Sequence, residues 1–212
     1  MIPGQFIVVE GLEGAGKTTA IETIKHYLQD KVKKVIVTRE PGGTYIGEKI
    51  RTLIKEAIAD EPLDSRSELL LLYAARVQLI QNVIQPALAR GEWVIADRFE
   101  LSTYAYQGGG RGISQAILDS LSEFCLDKLQ PNLTIFLDIS PKQGLERANS
   151  RGQTDRIEQE SLSFFNRVYQ AYQQKLKLTK KVVIIDASMP LESVQQAICL
   201  QLKIFLDENA YC

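Results

Sequence analysis

Five short runs of apolar residues recur along the chain, and each is nearly continuous rather than alternating. The runs cover residues 6–10, 35–38, 93–97, 133–138 and 182–186, and they are rich in β-branched side chains. This pattern is typical of parallel strands that are buried on both faces. Helical stretches separate the runs, and strands that alternate with helices indicate an α/β fold. We therefore predict a doubly wound, five-stranded parallel sheet with helices on both faces.

Six stretches between and after these runs have the apolar spacing of helices. A further segment, residues 147–160, is rich in arginine and lacks a clean apolar period, so we interpret it as a surface excursion and a candidate lid. The chain, residues 1–212, is then expected to form a single domain that carries a short lid. The predicted helices cover residues 18–29, 46–59, 65–89, 114–128, 164–178 and 191–206.

Composition and charge limit the classes of protein that fit this pattern. The chain has 45% hydrophobic and 24% charged residues, which is ordinary for a globular protein. Its net charge of -1 gives no general reason to bind nucleic acid or an anionic membrane. We expect no membrane span and no secretory signal. The three widely spaced cysteines, Cys125, Cys199 and Cys212, argue against a disulfide framework or a zinc site and favour a cytoplasmic protein.

Residues 11–18 read Gly-Leu-Glu-Gly-Ala-Gly-Lys-Thr, which matches the phosphate-binding pattern G-x-x-x-x-G-K-[ST] between a predicted strand and a predicted helix. Its glycines allow the backbone N–H groups to surround an anion, and the helix that follows presents its positive end to the same anion. Lys17 can reach the β- and γ-phosphates of ATP, and the Thr18 hydroxyl can ligate Mg²⁺. The predicted ATP contacts are Gly11, Leu12, Glu13, Gly14, Ala15, Gly16, Lys17, Thr18 and Thr19.

Three classes of nucleotide-binding protein share such a loop. A GTPase switch needs an Asn-Lys-x-Asp sequence after a strand, and the chain has none. A mechanical ATPase is usually larger or carries a module that couples it to a partner. A small-molecule kinase needs a second anion site that faces the first, and a cover that excludes water. Scattered arginines near the predicted strand ends and the candidate lid favour the kinase.

Several segments, in order from residue 6 to about residue 195, resemble bacterial thymidylate kinases. The loop alone is generic, whereas TREPGGT and YQGGGRG are far more specific. The resemblance implies a P-loop nucleoside monophosphate kinase fold with a short lid, conversion of dTMP and ATP to dTDP and ADP with Mg²⁺, and a cytoplasmic homodimer. The segments are FIVVEGLEGAGKTT at 6–19, TREPGGT at 38–44, AAR at 74–76, DR at 97–98, YQGGGRG at 106–112 and DRIEQE at 155–160.

The resemblance assigns the acceptor phosphate to a group of charged residues. It implies that Glu13 meets the sugar 3′-hydroxyl or the metal shell, and that Arg51 and Arg98 hold the phosphate. Asp97 would orient an arginine, or the metal through water, and so assist the attacking oxygen. A guanidinium suits this task because its fork matches two phosphate oxygens at once. Arg39 is either a further phosphate contact or one half of a surface ion pair.

The base site is also implied by the resemblance. Arg76 would read a carbonyl of the pyrimidine ring, and an adenine, which has an amino group there, would leave this arginine unpaired. The family often has an aromatic residue four positions earlier, which stacks on the base. Here that position is Leu72, with Tyr73 beside it, so we expect a flat aliphatic contact.

Residues that follow the third predicted strand complete the expected pocket. Thr103 and Gln107 match family positions that touch the base. Tyr106 matches the aromatic residue that crowds the sugar C2′ and disfavours ribonucleotides, and Tyr104 is a second candidate for that wall. Phe99 replaces the tyrosine or histidine that is usual after Asp-Arg, and we expect it to pack in the core.

The phosphate loop contains no arginine, so the resemblance moves the catalytic arginine to the lid. Arg151 and Arg156 are our choices for it, and Arg147 is expected near the adenine. The alternative is a solvated basic surface. Two other functions stay open: a kinase for another pyrimidine nucleoside monophosphate, and a regulatory switch that binds nucleotide without turnover.

Overall fold

The computed structural model describes residues 4–56, 60–150, 152 and 155–209. Its sheet has five parallel strands in the order β2-β3-β1-β4-β5, so the chain moves to one side of β1 and then to the other. This reversal opens a crevice at the carboxyl end of β1, where such sheets bind ligands. All five predicted strands are confirmed. They are β1 Phe6–Gly11, β2 Val35–Arg39, β3 Trp93–Asp97, β4 Leu133–Asp138 and β5 Val182–Asp186.

Burial differs between the central and the edge strands. Every residue of β1 is buried, and so are all but the last residues of β3 and β4. The edge strands β2 and β5 are only partly covered, because each has a neighbour on one side alone. The expectation of burial on both faces is therefore confirmed for the three central strands only.

Helices cover both faces of the sheet, as predicted. Ile7 and Val9 of β1 point into a core formed with α1, α8 and α9, while Phe6 and Val8 point into a second core with α3 and α6. The alternation follows the two-residue period of a strand. The helices are α1 Lys17–Leu28, α2 Tyr45–Lys55, α3 Ser65–Leu79, α4 Gln85–Ala89, α5 Glu100–Thr103, α6 Gln115–Leu126, α7 Pro141–Asn149, α8 Leu162–Leu176 and α9 Leu191–Asn209.

Two predicted helices differ from the structure. The helix predicted over 65–89 is interrupted at Ile80–Ile84, where the backbone widens into a π-helical turn. Pro86 follows this turn and has no N–H group to continue the regular hydrogen-bond ladder, which accounts for the interruption. The helix predicted over 46–59 ends at Lys55, and residues 57–59 lie outside the described part of the chain.

Helix α7 was not predicted, and it corrects the expected excursion at 147–160, whose first three residues are helical. The start signals were present, because Ser140 caps the helix and Pro141 occupies its first turn. Its fully buried residues are Pro141, Gly144 and Ala148, and Leu145 is partly buried against the same core, so the inner face has a single large apolar side chain and produces little apolar period. Among the described residues, no helix combines the length and the apolar character that a membrane span requires.

Candidate active site

The phosphate loop leaves the buried strand β1 and turns into α1. Gly14 and Gly16 have φ angles of 72° and 91°, a region that side chains rarely allow. Gly16 precedes the helix and has no side chain to cap it, so the first N–H groups of α1 remain open to an anion. Leu12 and Ala15 are buried in the core and fix the loop from beneath.

The unpredicted helix α7 packs directly on this loop. A Cβ atom on Gly14 would lie 2.0 Å from the carbonyl oxygen of Gly144, and a Cβ atom on Gly144 would lie 2.6 Å from that of Glu13. Both positions therefore require glycine. This contact holds the phosphate loop against the start of the lid segment.

Lys17 lies over the loop with its ammonium group directed inwards. Its Nζ donates hydrogen bonds to the carbonyl oxygens of Gly11 and Leu12 and lies 3.5 Å from Oε2 of Glu13. Burial, together with the positive charge of Arg98, lowers the pKa of Lys17. Because phosphate oxygens are stronger acceptors than carbonyl oxygens, the same donors suit a triphosphate tail.

A cavity of about 620 Å³ opens beyond the carboxyl ends of β1 and β3. Its size falls within the range of small-molecule sites. The loop forms one end of it, and α2, α3 and the segment after β3 form the walls. From the predicted ATP contacts, the lining includes Glu13, Gly14, Gly16, Lys17, Thr18 and Thr19.

Arg98 links this end of the cavity to the acceptor side. It has a φ angle of 69°, which costs energy for a residue with a side chain and tends to occur at functional sites. Its guanidinium donates to Ser102 Oγ at 3.1 Å and Tyr106 Oη at 3.2 Å, and it forms an ion pair with Glu13. Burial alone would raise the pKa of Glu13, but the charges of Arg98 and Lys17 outweigh it and lower that pKa. The repulsion expected between this acid and bound phosphates is thereby offset.

Glu10, the residue before the loop, received no role from the sequence and proves to organise the segment after β3. Its buried carboxylate accepts hydrogen bonds from the backbone N–H groups of Phe99 and Ser102, from Ser102 Oγ at 2.7 Å and from Tyr172 Oη at 2.9 Å. Ser102 and Tyr172 in turn accept from Arg98. The only signal in the sequence is an acid at the end of a buried strand.

Two further arginines line the cavity beside Asp97. Arg51 of α2 donates from Nη1 to the carbonyl oxygen of Pro41 at 2.8 Å. Arg39 lines the cavity and also forms a 2.8 Å ion pair with Glu48, so it has both of the features that the sequence left as alternatives. The residues predicted to hold the acceptor phosphate therefore line one cavity together: they are Arg39, Arg51, Asp97 and Arg98.

Arg76 also lines the cavity, although it is only 2% exposed. Its Nε donates to Glu40 at 2.7 Å, its Nη1 pairs with Glu100, and its Nη2 donates to the Phe99 carbonyl and to Thr103 Oγ1. Within the described residues, these contacts use four of the five N–H groups of a guanidinium and leave one on Nη1. Burial raises the pKa of Glu40 to about 7, against the opposing charge of Arg76.

Two aromatic residues of this region, Phe99 and Tyr106, line the cavity, whereas Tyr73 and Tyr104 do not. Tyr73 points away from the cavity, with its hydroxyl bonded to Glu100 at 2.7 Å, and its ring lies under the Arg76 guanidinium. Tyr104 is also absent from the cavity lining, and its hydroxyl donates a hydrogen bond to Asp119 at 2.6 Å. Phe99 is buried and packs edge-on against Phe6 in the core, as expected, and it also lines the cavity. The predicted base-site residues in the lining are Leu72, Arg76, Thr103, Tyr106 and Gln107.

The lid arginines are placed differently from one another. Arg147 lines the cavity and donates from Nη1 to the Ala187 carbonyl at 2.8 Å, just beyond β5. Arg156 lies outside the lining, because its Nε donates to the Ile54 carbonyl at 2.9 Å and its Nη2 pairs with Glu68. Its neighbours at 155, 157 and 158 do line the cavity. Arg151 lies outside the described residues.

The donor set at the loop suits a magnesium ion. Thr18 and Asp97 both line the cavity, and the buried Oδ1 of Asp97 has no hydrogen-bond partner among the described residues. No cluster of three or more metal-ligating side chains occurs in the parts of the chain that the structure describes. Mg²⁺ does not require one, since it usually keeps waters and binds phosphates together with one or two protein oxygens.

A phosphate loop that faces an arginine-lined pocket, across the switch point of a five-stranded parallel sheet, defines an ATP-dependent nucleoside monophosphate kinase. The family model for thymidylate kinase matches residues 9–198. A thymidylate kinase of Legionella pneumophila (strain Corby) is 53% identical over 208 residues, which is 98% of each chain, and one of strain Paris is 52% identical over the same share. The chain belongs to the thymidylate kinase family.

Proposed function

We propose that this protein transfers the γ-phosphoryl group of ATP to dTMP, giving dTDP and ADP. One observation carries the proposal: Lys17 of the phosphate loop, Arg98 and Arg76 all line a single cavity, and Glu13 pairs with both Lys17 and Arg98. These are binding groups for a triphosphate, a monophosphate and a base carbonyl, in that order. Membership of the thymidylate kinase family supports the same reaction.

Transfer in this scheme is direct and in line. The loop holds the β- and γ-phosphates, while Arg51 and Arg98 hold the phosphate of dTMP, with Asp97 as a neighbour that orients them. The attacking oxygen is already ionised, so no strong general base is required. Positioning and electrostatic stabilisation supply most of the rate, as is usual in phosphoryl transfer.

We propose that Mg²⁺ accompanies ATP, held by the Thr18 hydroxyl and, through water, by Asp97. The ion would neutralise charge on the β- and γ-phosphates. Oδ1 of Asp97, which has no partner within the described part of the chain, supports this assignment, because a buried polar atom normally has a partner.

The base site follows from the donors and acceptors in the walls. The remaining N–H group of Arg76 is a donor for a pyrimidine carbonyl, and Glu40 and Glu100 prevent the guanidinium from turning away. Leu72 would provide a flat apolar contact to the ring. Tyr106 would crowd the sugar C2′, since its ring is held by Phe164, Phe165 and Tyr172 in edge-on packing.

We assign the catalytic lid arginine to Arg156 or Arg151 and place Arg147 near the adenine. The position of Arg147 beside Ala187, at the β5 side of the loop, supports the adenine contact. Arg156 must leave Glu68 to reach the phosphates. Its neighbours Asp155 and Ile157 already line the cavity, which supports such a movement of the segment.

A steady-state assay with dTMP, dUMP, CMP and AMP as acceptors tests the function. We expect kcat/KM for dTMP to exceed that for CMP and AMP by at least about 100-fold, because a mismatched polar group at Arg76 costs several kcal/mol. Omission of Mg²⁺ should abolish turnover. Preference for CMP would instead indicate a kinase for another pyrimidine nucleotide. Binding of nucleotide without turnover of any acceptor would indicate a switch.

We also propose that the protein is a cytoplasmic homodimer. Leu70 of α3 and Ile117 and Phe124 of α6 are 58%, 52% and 85% exposed, and these two helices pack against each other. The free thiols of Cys125 and Cys199 suit a reducing compartment. Sedimentation at micromolar protein should give the mass of two chains, and Phe124→Glu should shift it towards one. A monomeric mass for the unmodified protein would contradict the dimer.

A further inference from the structure

Glu68 of α3 is a buried carboxylate that the reaction scheme does not use. Its side chain is 1% exposed. Oε1 accepts from Nε2 of Gln107 at 2.8 Å and from Nε of Arg111 at 3.3 Å. Oε2 accepts from Nη2 of Arg111 at 3.3 Å and from Nη2 of Arg156. Four donors thus fill the acceptor sites of one carboxylate.

This arrangement keeps Glu68 ionised. Burial alone would raise its pKa, but the hydrogen bonds from Arg156 and Gln107 and the charge of Arg111 outweigh it and lower that pKa. An ionised carboxylate can only accept hydrogen bonds. The amide group of Gln107 must therefore direct its nitrogen, and not its oxygen, towards Glu68.

The orientation of this amide matters because Gln107 lines the cavity. With Nε2 committed to Glu68, the wall presents the amide oxygen as an acceptor. No hydrogen bond to that oxygen occurs among the residues that the structure describes. At these two positions the cavity wall thus offers an acceptor, the amide oxygen of Gln107, and a donor, the remaining N–H group of Arg76.

We propose that Glu68 is a positioning residue that sets base selectivity by fixing the amide orientation of Gln107. The proposal rests on the proposed function. Thymine has a donor at N3–H and an acceptor at O4, which complement an amide oxygen and an arginine N–H group. Cytosine has an acceptor at N3 and an amino donor in place of O4, so both contacts fail. Glu68 touches no substrate and acts through Gln107.

Glu68→Gln tests the mechanism because it changes charge and donor pattern but hardly changes shape. The arginines have only donors and would claim the new amide oxygen, so the new NH₂ group would face Gln107. Gln107 would then turn its own oxygen towards residue 68 and its NH₂ group towards the base. We expect the ratio of kcat/KM for dTMP to that for dCMP to fall by at least about tenfold.

Two further variants separate this effect from loss of packing. Glu160→Gln removes the other carboxylate that pairs with Arg111 and leaves the contact between Glu68 and Gln107 in place. It should keep the selectivity ratio within about threefold of that of the unmodified protein. The exchange Glu68→Gln with Gln107→Glu restores a carboxylate and an amide in opposite order. In this double variant the carboxylate at position 107 again presents an acceptor oxygen to the cavity. Most of the dTMP-to-dCMP selectivity ratio should therefore return.

The results can support the role of Glu68, reject it, or reject the proposed function. A lower ratio in Glu68→Gln that the exchange restores supports the proposal. An unchanged ratio in Glu68→Gln, or an equal fall in Glu160→Gln, overturns it. If Glu68→Gln is too unstable to assay, the exchange variant decides alone, and a tenfold loss of its ratio overturns the proposal. An unmodified protein that does not prefer dTMP to dCMP refutes the proposed function instead.

Discussion

Lys17→Ala is expected to lower kcat by at least about 10³-fold, with the fold intact. The Lys17 ammonium lies over the loop, 2.9 Å from the Leu12 carbonyl, and is the cation that this loop can offer to the β- and γ-phosphates. Negative charge spreads over the transferred group in the transition state, so loss of a preorganised cation should raise the barrier more than it weakens binding. A coupled assay of ADP release measures kcat, and thermal unfolding monitors the fold.

Lys25→Ala provides the matched control for this variant. Lys25 lies on the same helix α1, but its side chain is 47% exposed and pairs with the similarly exposed Glu22 at 3.6 Å. Such an exposed pair contributes about 0–1 kcal/mol to stability and should leave kcat unchanged. Full activity in Lys17→Ala would refute the phosphate site.

The sheet and the phosphate loop could be predicted from the sequence because their signals are local. A continuous apolar run marks a buried strand, and glycines before Lys17 mark a loop that must wrap an anion. Helix α7 was missed for a local reason too. Gly144 meets the loop backbone, so the inner face of this helix consists of small buried residues and one large apolar side chain, Leu145, which is too little to stand out as an apolar period.

The buried acids could not be predicted, because their roles depend on partners distant in sequence. Glu10, Glu40 and Glu68 look like ordinary acids in the sequence, yet each is 6% exposed or less. Glu40 meets Arg76, which lies 36 residues away, and Glu68 meets Arg156, which lies 88 residues away. Only the fold brings these pairs together.

Glu40, Glu68 and the loop acid Glu13 share one physical task. Arg76, Arg98 and Arg156 each pair with a glutamate that is mostly buried. Buried ion pairs add little to stability, because desolvation of both charges offsets their attraction. They do restrict the rotation of a guanidinium, and a group held in place before binding loses less entropy when the substrate arrives. We therefore interpret these ion pairs as contacts that fix the orientation of the arginine side chains.

Arg156 differs from the other two because its partner holds it outside the cavity. Its Nε donates to the Ile54 carbonyl and its backbone N–H group to the Lys55 carbonyl, so the segment is attached to the end of α2. Lys55 also forms a 2.6 Å ion pair with Asp155. Bound phosphates offer Arg156 a doubly charged partner in place of Glu68, which favours its transfer into the cavity.

Arg156→Ala is accordingly expected to lower kcat by at least about 100-fold, with a modest change in ATP affinity. An arginine that meets the γ-phosphoryl group only in the transition state affects kcat rather than ground-state binding. Arg66→Ala is the control, because the Arg66 side chain is 84% exposed and pairs with Asp64 at the protein surface. If Arg156 served only to pair with Glu68, its removal would lower the free energy of unfolding and leave kcat nearly unchanged. A fall in kcat of less than threefold would therefore exclude it from the catalytic machinery.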